Sequence, residues 1–209
     1  MYDSPGYPQP DAESIEIFVQ AQPYAVVLGV SAHGHPSASL LPFVKAGERI
    51  TVHMVQEDPT YRALRREPRG SVLIEEFLAF TPHTPVTPDY AGQATLHFRA
   101  VLYEVEATLT TDPGRVAEAL EEALARYEPD AAHTPVGDLS VYGADLARLA
   151  RADLRVVRMQ AKFKHAQGKD AATRARVAAF LRERGSWRDA RAAAIIEAIE
   201  PTGGPPFGR

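Results

Sequence analysis

The stretch PYAVVLGVSAHGHPSASLLPFVKAGERITVHMV, residues 23–55, constrains the fold more than any other part of the chain. It holds three runs rich in β-branched and apolar residues, PYAVVLGVS, SASLLPFV and ITVHMV. Only AHGHP and KAGER separate them, both turns by their Gly and Pro or Gly and charge content. Parallel strands need crossovers of about a dozen residues or more, so runs this close suggest an antiparallel meander.

The rest of the chain adds strands and helices to that start. DAESIEIFVQAQ places Ile15, Phe18 and Val19 at helical spacing after Asp11. DPTYRALRRE reads as a helix with Asp58 as N-cap and Pro59 in the first turn. GSVLIEEFLAF is a fourth strand, and the proline-rich TPHTPVTPDYAGQ is a long loop. ATLHFRAVLYEVEATLT is a fifth strand in which Leu96 and Phe98 change phase with Val101, Tyr103 and Val105, the pattern of a bend or bulge. DPGRVAEALEEALARYE is the clearest helix, capped by Asp112 and lined by Val116, Leu120, Leu124 and Tyr127. A helix around GADLARLAR precedes a sixth strand, LRVVRMQAKFK. Two basic helices follow, one from Asp170 and one from Ser186 with Asp189 completing a capping-box-like pair.

The expected fold is therefore α+β: a six-stranded antiparallel split β-barrel with inserted and C-terminal helices. The expected division is a barrel domain over 1–165, a helical appendage over 166–200, and a disordered tail over 201–209.

Composition narrows the chemistry. With no cysteine among 209 residues, disulfides, thiolate catalysis and cysteine-ligated metals are excluded. No apolar run spans a bilayer and the acidic, proline-rich start lacks a secretory pattern, so a cytoplasmic protein is expected. P-loop, GxGxxG, HExxH and GxSxG motifs are missing, as is any nucleophile and base pair legible from spacing. His33 and His35 flank Gly34, but an HxH turn needs further ligands, so no metal site is expected. His53 and His97, each in mid-strand, read as partly buried structural histidines.

A net charge of −4 hides a basic C-terminal region. Residues 155–191 carry eleven Lys and Arg against Asp170, Glu183 and Asp189. Such a run can attract a polyanion, or dock on acidic parts of the same chain or a partner subunit. DAATRARVAAFLRERG offers no aromatic interleaving and no reader motif, which argues against direct nucleic-acid binding. Lys162 and Lys164, two apart on a strand, share a face suited to an anion.

Three segments in order, PYAVVLGVSAHGHPSASLLPF, ITVHMVQEDPTYRAL and QAKFKHAQGKDAATRARVAAFL, resemble the PaiB family of transcriptional regulators within the FMN-binding split-barrel superfamily. The resemblance runs from about Tyr7 to Glu200. It implies a homodimer with an FMN groove at its interface. Ser37, Ser39, Leu40, Leu41 and Pro42 would flank the flavin. His53, Gln56 and Asp58 would sit near its phosphate or ribityl end with Arg62 behind them, and Lys162, Lys164 and Gln167 would contribute from the last strand and turn.

The chain departs from the family at several of these places. Leu40 stands for a histidine, Glu57-Asp58-Pro59 for Ala-Asn-Pro, and the loop after Phe80 lacks a tryptophan. Three functions follow: a flavin-dependent sensor or negative transcriptional regulator, a flavin-dependent oxidoreductase of the pyridoxamine-phosphate-oxidase-like group, or a barrel that kept its dimer and lost its flavin. Haem or another planar anion is the alternative ligand.

Overall fold

The structure is a computed structural model that describes residues 7–199; the expected tail over 201–209 lies outside the described residues. Its seven strands are β1 (Ala25–Val30), β2 (Pro36–Leu41), β3 (Val44–Ala46), β4 (Arg49–Val55), β5 (Arg69–Thr81), β6 (Thr95–Thr110) and β7 (Leu149–Lys164). They form one sheet in the order β2-β1-β5-β6-β7-β4-β3. The class is α+β as expected, but the strand count is seven rather than six, and the sheet is open.

The extra strand comes from SASLLPFV, which is two strands and not one. Pro42 has no N–H to give a ladder. The backbone of Phe43 turns instead to Tyr127, whose hydroxyl receives the Phe43 N–H at 3.2 Å and donates to the Phe43 carbonyl at 3.1 Å. Tyr127 ends the helix α3 (Pro113–Tyr127). Phe43 itself is buried, with the Arg126 guanidinium 4.4 Å from its ring centroid.

The chain divides into two compact units. The larger covers 17–74 and 102–159. Here β1 and β2 form the expected hairpin, Ala25 opposite Leu41 and Val30 opposite Pro36. Gly34 supplies the positive φ that its turn requires. β4 lies antiparallel to β7 from Arg49 opposite Arg155 to Val55 opposite Leu149. Helix α2 (Pro59–Arg66) packs on β1 so closely that a Cβ on Gly29 would fall 2.9 Å from the Ala63 Cβ. α3 packs against the helix α4 (Leu139–Leu146) through Val116, Ala117, Val136 and Leu146. The helix expected around GADLARLAR thus ends at Leu146, and β7 begins three residues later.

The smaller unit covers 7–16, 75–101 and 160–199. The helices α5 (Ala171–Arg184) and α6 (Asp189–Glu197) pack on the end of β5, burying Leu78, Ala79, Val177, Leu181, Ala193 and Ile196. Glu76, 5% exposed, ties this unit together. Its carboxylate accepts from Arg99 on β6 at 3.0 and 2.5 Å and from Arg191 on α6 at 2.6 Å. No helix among the described residues is long and apolar enough to cross a membrane.

Candidate functional site

The larger unit gathers the hydroxyls of β2 at the start of α2. Asp58 caps the helix, taking the Thr60 N–H at 2.6 Å. Ser39 donates to both Asp58 oxygens at 2.8 and 2.9 Å and lies 2.8 Å from the Thr60 hydroxyl, which is 2.9 Å from that of Ser37. Three of the sequence-derived positions, Ser37, Ser39 and Asp58, are therefore brought together, with Thr60 as the partner that sequence reasoning missed. Gln56 serves the backbone, donating to the carbonyls of Ala147 and Leu149 at 3.0 and 2.9 Å. Leu40 is 66% exposed, Leu41 and Pro42 are half-buried, and Arg62 is exposed on α2. His53 is half-buried opposite Arg151, and burial lowers its pKa. A phosphate does not fit this helix start as it stands. The carboxylate already takes the Thr60 N–H, and a second anion beside it would be repelled.

The smaller unit holds a different arrangement. A cavity of about 320 Å³ lies among Tyr7, Thr81, Gln93, His97, Lys164 and Lys169, with Ala166 and Val177 completing an apolar wall. This is at the small end of the range for small-molecule sites, about 300–1,000 Å³. None of the residues lining it is a carboxylate. The Lys162 and Lys164 ammonium groups lie 5.6 and 5.5 Å from the Tyr7 ring centroid, close enough for cation–π attraction. Burial, and then repulsion from Lys162 and Lys169, lowers the pKa of Lys164. Lys164 and Lys169 at a cavity with no lining carboxylate favour an anion.

The turn after β7 sets these lysines in place. Gln167 closes it, its amide donating to the Phe163 carbonyl at 2.5 Å and accepting the His165 N–H at 2.9 Å. Ala166 takes a left-handed φ of 69° there, a conformation that favours glycine and is found enriched at functional sites. Lys169 donates to the Gln93 side chain at 2.5 Å, and Asp170 then caps α5 through the Thr173 N–H at 2.7 Å.

His97 is the residue that sequence reasoning undervalued. It is 1% exposed, and its Nε2 lies 2.8 Å from the Thr81 hydroxyl. Its Nδ1 is buried without a hydrogen-bond partner, as is that of His165. An unsatisfied buried group of this kind costs about 1–3 kcal/mol. Burial, and then His165 and Lys164, push His97 down to about 4. Burial and then Arg99 push His165 to about 4 as well, so both imidazoles are neutral at pH 7. In β6, Leu96 is 43% exposed and His97 is buried, as are the adjacent Ala100 and Val101 and then Tyr103 and Val105. His97 is thus buried more completely than the partly buried structural histidine expected there.

The basic C-terminal residues mostly have intramolecular partners. Arg182 pairs with Glu197, Arg184 with Asp189 and Arg191 with Glu76. Arg174, Arg176 and Arg188 donate to the carbonyls of Lys169, Pro85 and Phe77. Arg155 and Arg158 pair with Glu106 and Glu104 in the larger unit. The other three cations of the run are lysines, of which Lys164 and Lys169 line the cavity.

Solved structures share this fold. A conserved hypothetical protein from Mycobacterium tuberculosis aligns over 81% of this chain and 94% of its own, with a TM-score of 0.59 at 15% identity. The flavocytochrome Anf3 from Azotobacter vinelandii aligns over 74% and 67%, with a TM-score of 0.57 at 19% identity. The FAD and haem binding protein from Mycobacterium smegmatis aligns over 74% and 71%, with a TM-score of 0.57 at 17% identity. At these identities the likeness defines a class, the split-barrel-like α+β fold. No curated protein matches the sequence. The family model described as "Putative FMN-binding domain" matches residues 1–165, and the chain belongs to that family.

The fit of FMN can be judged on the two sets of residues. The α2 start, with its committed Asp58, suits a phosphate poorly. The lysine cavity suits it well, offering cations for a phosphate, a tyrosine ring, an apolar wall and a buried imidazole nitrogen with capacity to spare.

Proposed function

We propose that this chain is an FMN-binding protein of the PaiB type, a homodimer that acts as a flavin-dependent sensor. The family match over residues 1–165 carries the reading. Lys162 and Lys164 meet the anionic end of the flavin beside Tyr7, with Lys169 behind them. When bound, FMN supplies electron- and hydride-transfer chemistry that the side chains lack. The chain contributes binding, orientation and exclusion of water. A regulatory output would pass through a protein partner rather than through direct DNA contact, because the arginines of α5 and α6 are committed to Glu76, Asp189, Glu197 and backbone carbonyls.

The test is an absorbance spectrum from about 300 to 500 nm, where flavins absorb, followed by FMN titration and sedimentation of the loaded protein. Saturable binding is expected, weakened at least ~10-fold in Lys162→Ala/Lys164→Ala by loss of charge-assisted hydrogen bonds. Asp58→Asn should leave the affinity within ~2-fold, because that carboxylate is not placed at the phosphate. A wild-type protein indifferent to FMN overturns the proposal. An Asp58→Asn variant that binds markedly tighter would move the phosphate to the start of α2.

A further inference from the structure

The lysines account for charge in the cavity, but charge does not account for His97. Its ring is fixed at one nitrogen by Thr81, 2.8 Å away, and its other nitrogen is buried with no partner. The Thr81 hydroxyl can donate or accept. If it donates to Nε2, then Nδ1 carries the proton and is a donor; if it accepts from Nε2–H, then Nδ1 is an acceptor. The pair is thus an uncharged group that matches either kind of polar atom by a shift of tautomer. It lines the same cavity as Lys164 and Lys169, yet its pKa of about 4 keeps it out of the electrostatics of a phosphate at neutral pH.

Resting on the flavin reading above, we infer that the Thr81–His97 pair determines the specificity of the site, with His97 Nδ1 hydrogen-bonding an uncharged carbonyl, N–H or hydroxyl of the bound flavin. The site then has two separable halves. Lys162 and Lys164 read the phosphate, and His97 reads the part of the ligand that FMN shares with riboflavin. A ligand carrying an anion alone satisfies only the first half. Thr81 is a positioning residue, acting through the imidazole it holds.

The separation can be tested by titrating FMN, riboflavin and inorganic phosphate into the full-length protein. His97→Leu should weaken FMN and riboflavin alike, by about tenfold for the loss of one hydrogen bond in a buried site. Lys162→Ala/Lys164→Ala should weaken FMN and leave riboflavin unchanged. Thr81→Val should behave as a weaker His97→Leu, and His97→Asn should restore part of the affinity through its amide. In ¹⁵N spectra of the histidine-labelled wild type, FMN and riboflavin should move the His97 Nδ1 resonance while phosphate does not. That measurement decides the matter even where the leucine variant fails to fold. A wild type that binds neither flavin overturns the flavin reading and this inference together. A wild type that binds FMN with the His97 Nδ1 resonance unmoved overturns this inference alone.

Discussion

Glu76 and His97 show how single residues in this protein depend on partners far away in sequence. Burial by itself would raise the Glu76 carboxyl, but hydrogen bonds from Arg99 and Arg191 outweigh it and hold the group below its ordinary value. Replacing it by Ala leaves the largely buried Arg99 without its acid, and breaking a buried pair in this way costs about 3–5 kcal/mol. Urea unfolding of Glu76→Ala should show a loss of that size, with Arg99→Met/Glu76→Leu recovering much of it. His97 and His165 act in the same pH direction as the salt-bridged carboxylates, through burial rather than pairing. Each falls from an ordinary 6.5 to about 4 on folding, so the unfolded chain binds more protons between those values. Their contribution is complete above about pH 6.5 and is lost as pH falls towards 4, on the order of 3 kcal/mol for His97. Urea midpoints measured between pH 7 and pH 4.5 should fall, and His97→Asn should flatten the slope. Glu76 stands beside Glu75 in the chain, and nothing local announces Arg99 or Arg191. Burial of His97 was legible, but its Thr81 partner and its unpartnered Nδ1 were not, because Thr81 lies sixteen residues away on another strand.

At the scale of elements, acidic caps made the helix starts legible. Asp58, Asp112 and Asp170 each accept a backbone N–H from the first turn, and Asp11 does the same for the helix α1 (Ala12–Gln20) through Ser14. Asp138, which caps α4, escaped notice because HTPVGD lies in a stretch without apolar periodicity. Asp58→Ala should cost about 1–2 kcal/mol as a lost cap and free the Ser39 hydroxyl, to be read as a lower melting temperature. The last helix was less legible. Ser186 donates its N–H to Asp189 at 2.9 Å, as a capping box requires, yet α6 starts only at Asp189, after Arg188 in a left-handed conformation. The Arg184–Asp189 pair and the fully buried Leu181 anchor this corner. Leu181→Ala should destabilise by about 2–5 kcal/mol through the cavity it leaves. Because Val177 of the same helix forms part of the ligand cavity wall, the variant should also weaken FMN binding, measurable as a raised dissociation constant in a flavin titration.

For the whole molecule, the informative quantity is where the charges end. A basic run of eleven Lys and Arg could belong to a nucleic-acid surface, and composition alone leaves that open. The structure gives the arginines of α5 and α6 acids or carbonyls of their own unit, and it places Lys164 and Lys169 at one cavity with Lys162 near Lys164. Gel retardation with duplex DNA at about 0.15 M salt should therefore show no shift, where a surface of eight or more available cations would bind non-specifically. The sequence by itself determined the class of the fold, the β1–β2 hairpin though not the full meander, most helix starts, the absence of thiol chemistry and the pairing of two lysines on one strand face. These are properties of neighbouring residues: turn chemistry, period and capping act over a few positions. The tertiary structure decided the break at Pro42 into a seventh strand, the commitment of Asp58 to its own helix, and the meeting of Thr81 with His97. It also decided which acids and carbonyls the arginines meet and which lysines line the cavity. Periodicity tells a residue which face to occupy but not which distant residue shares it, and both the site and the buried ion pairs are made of such distant encounters.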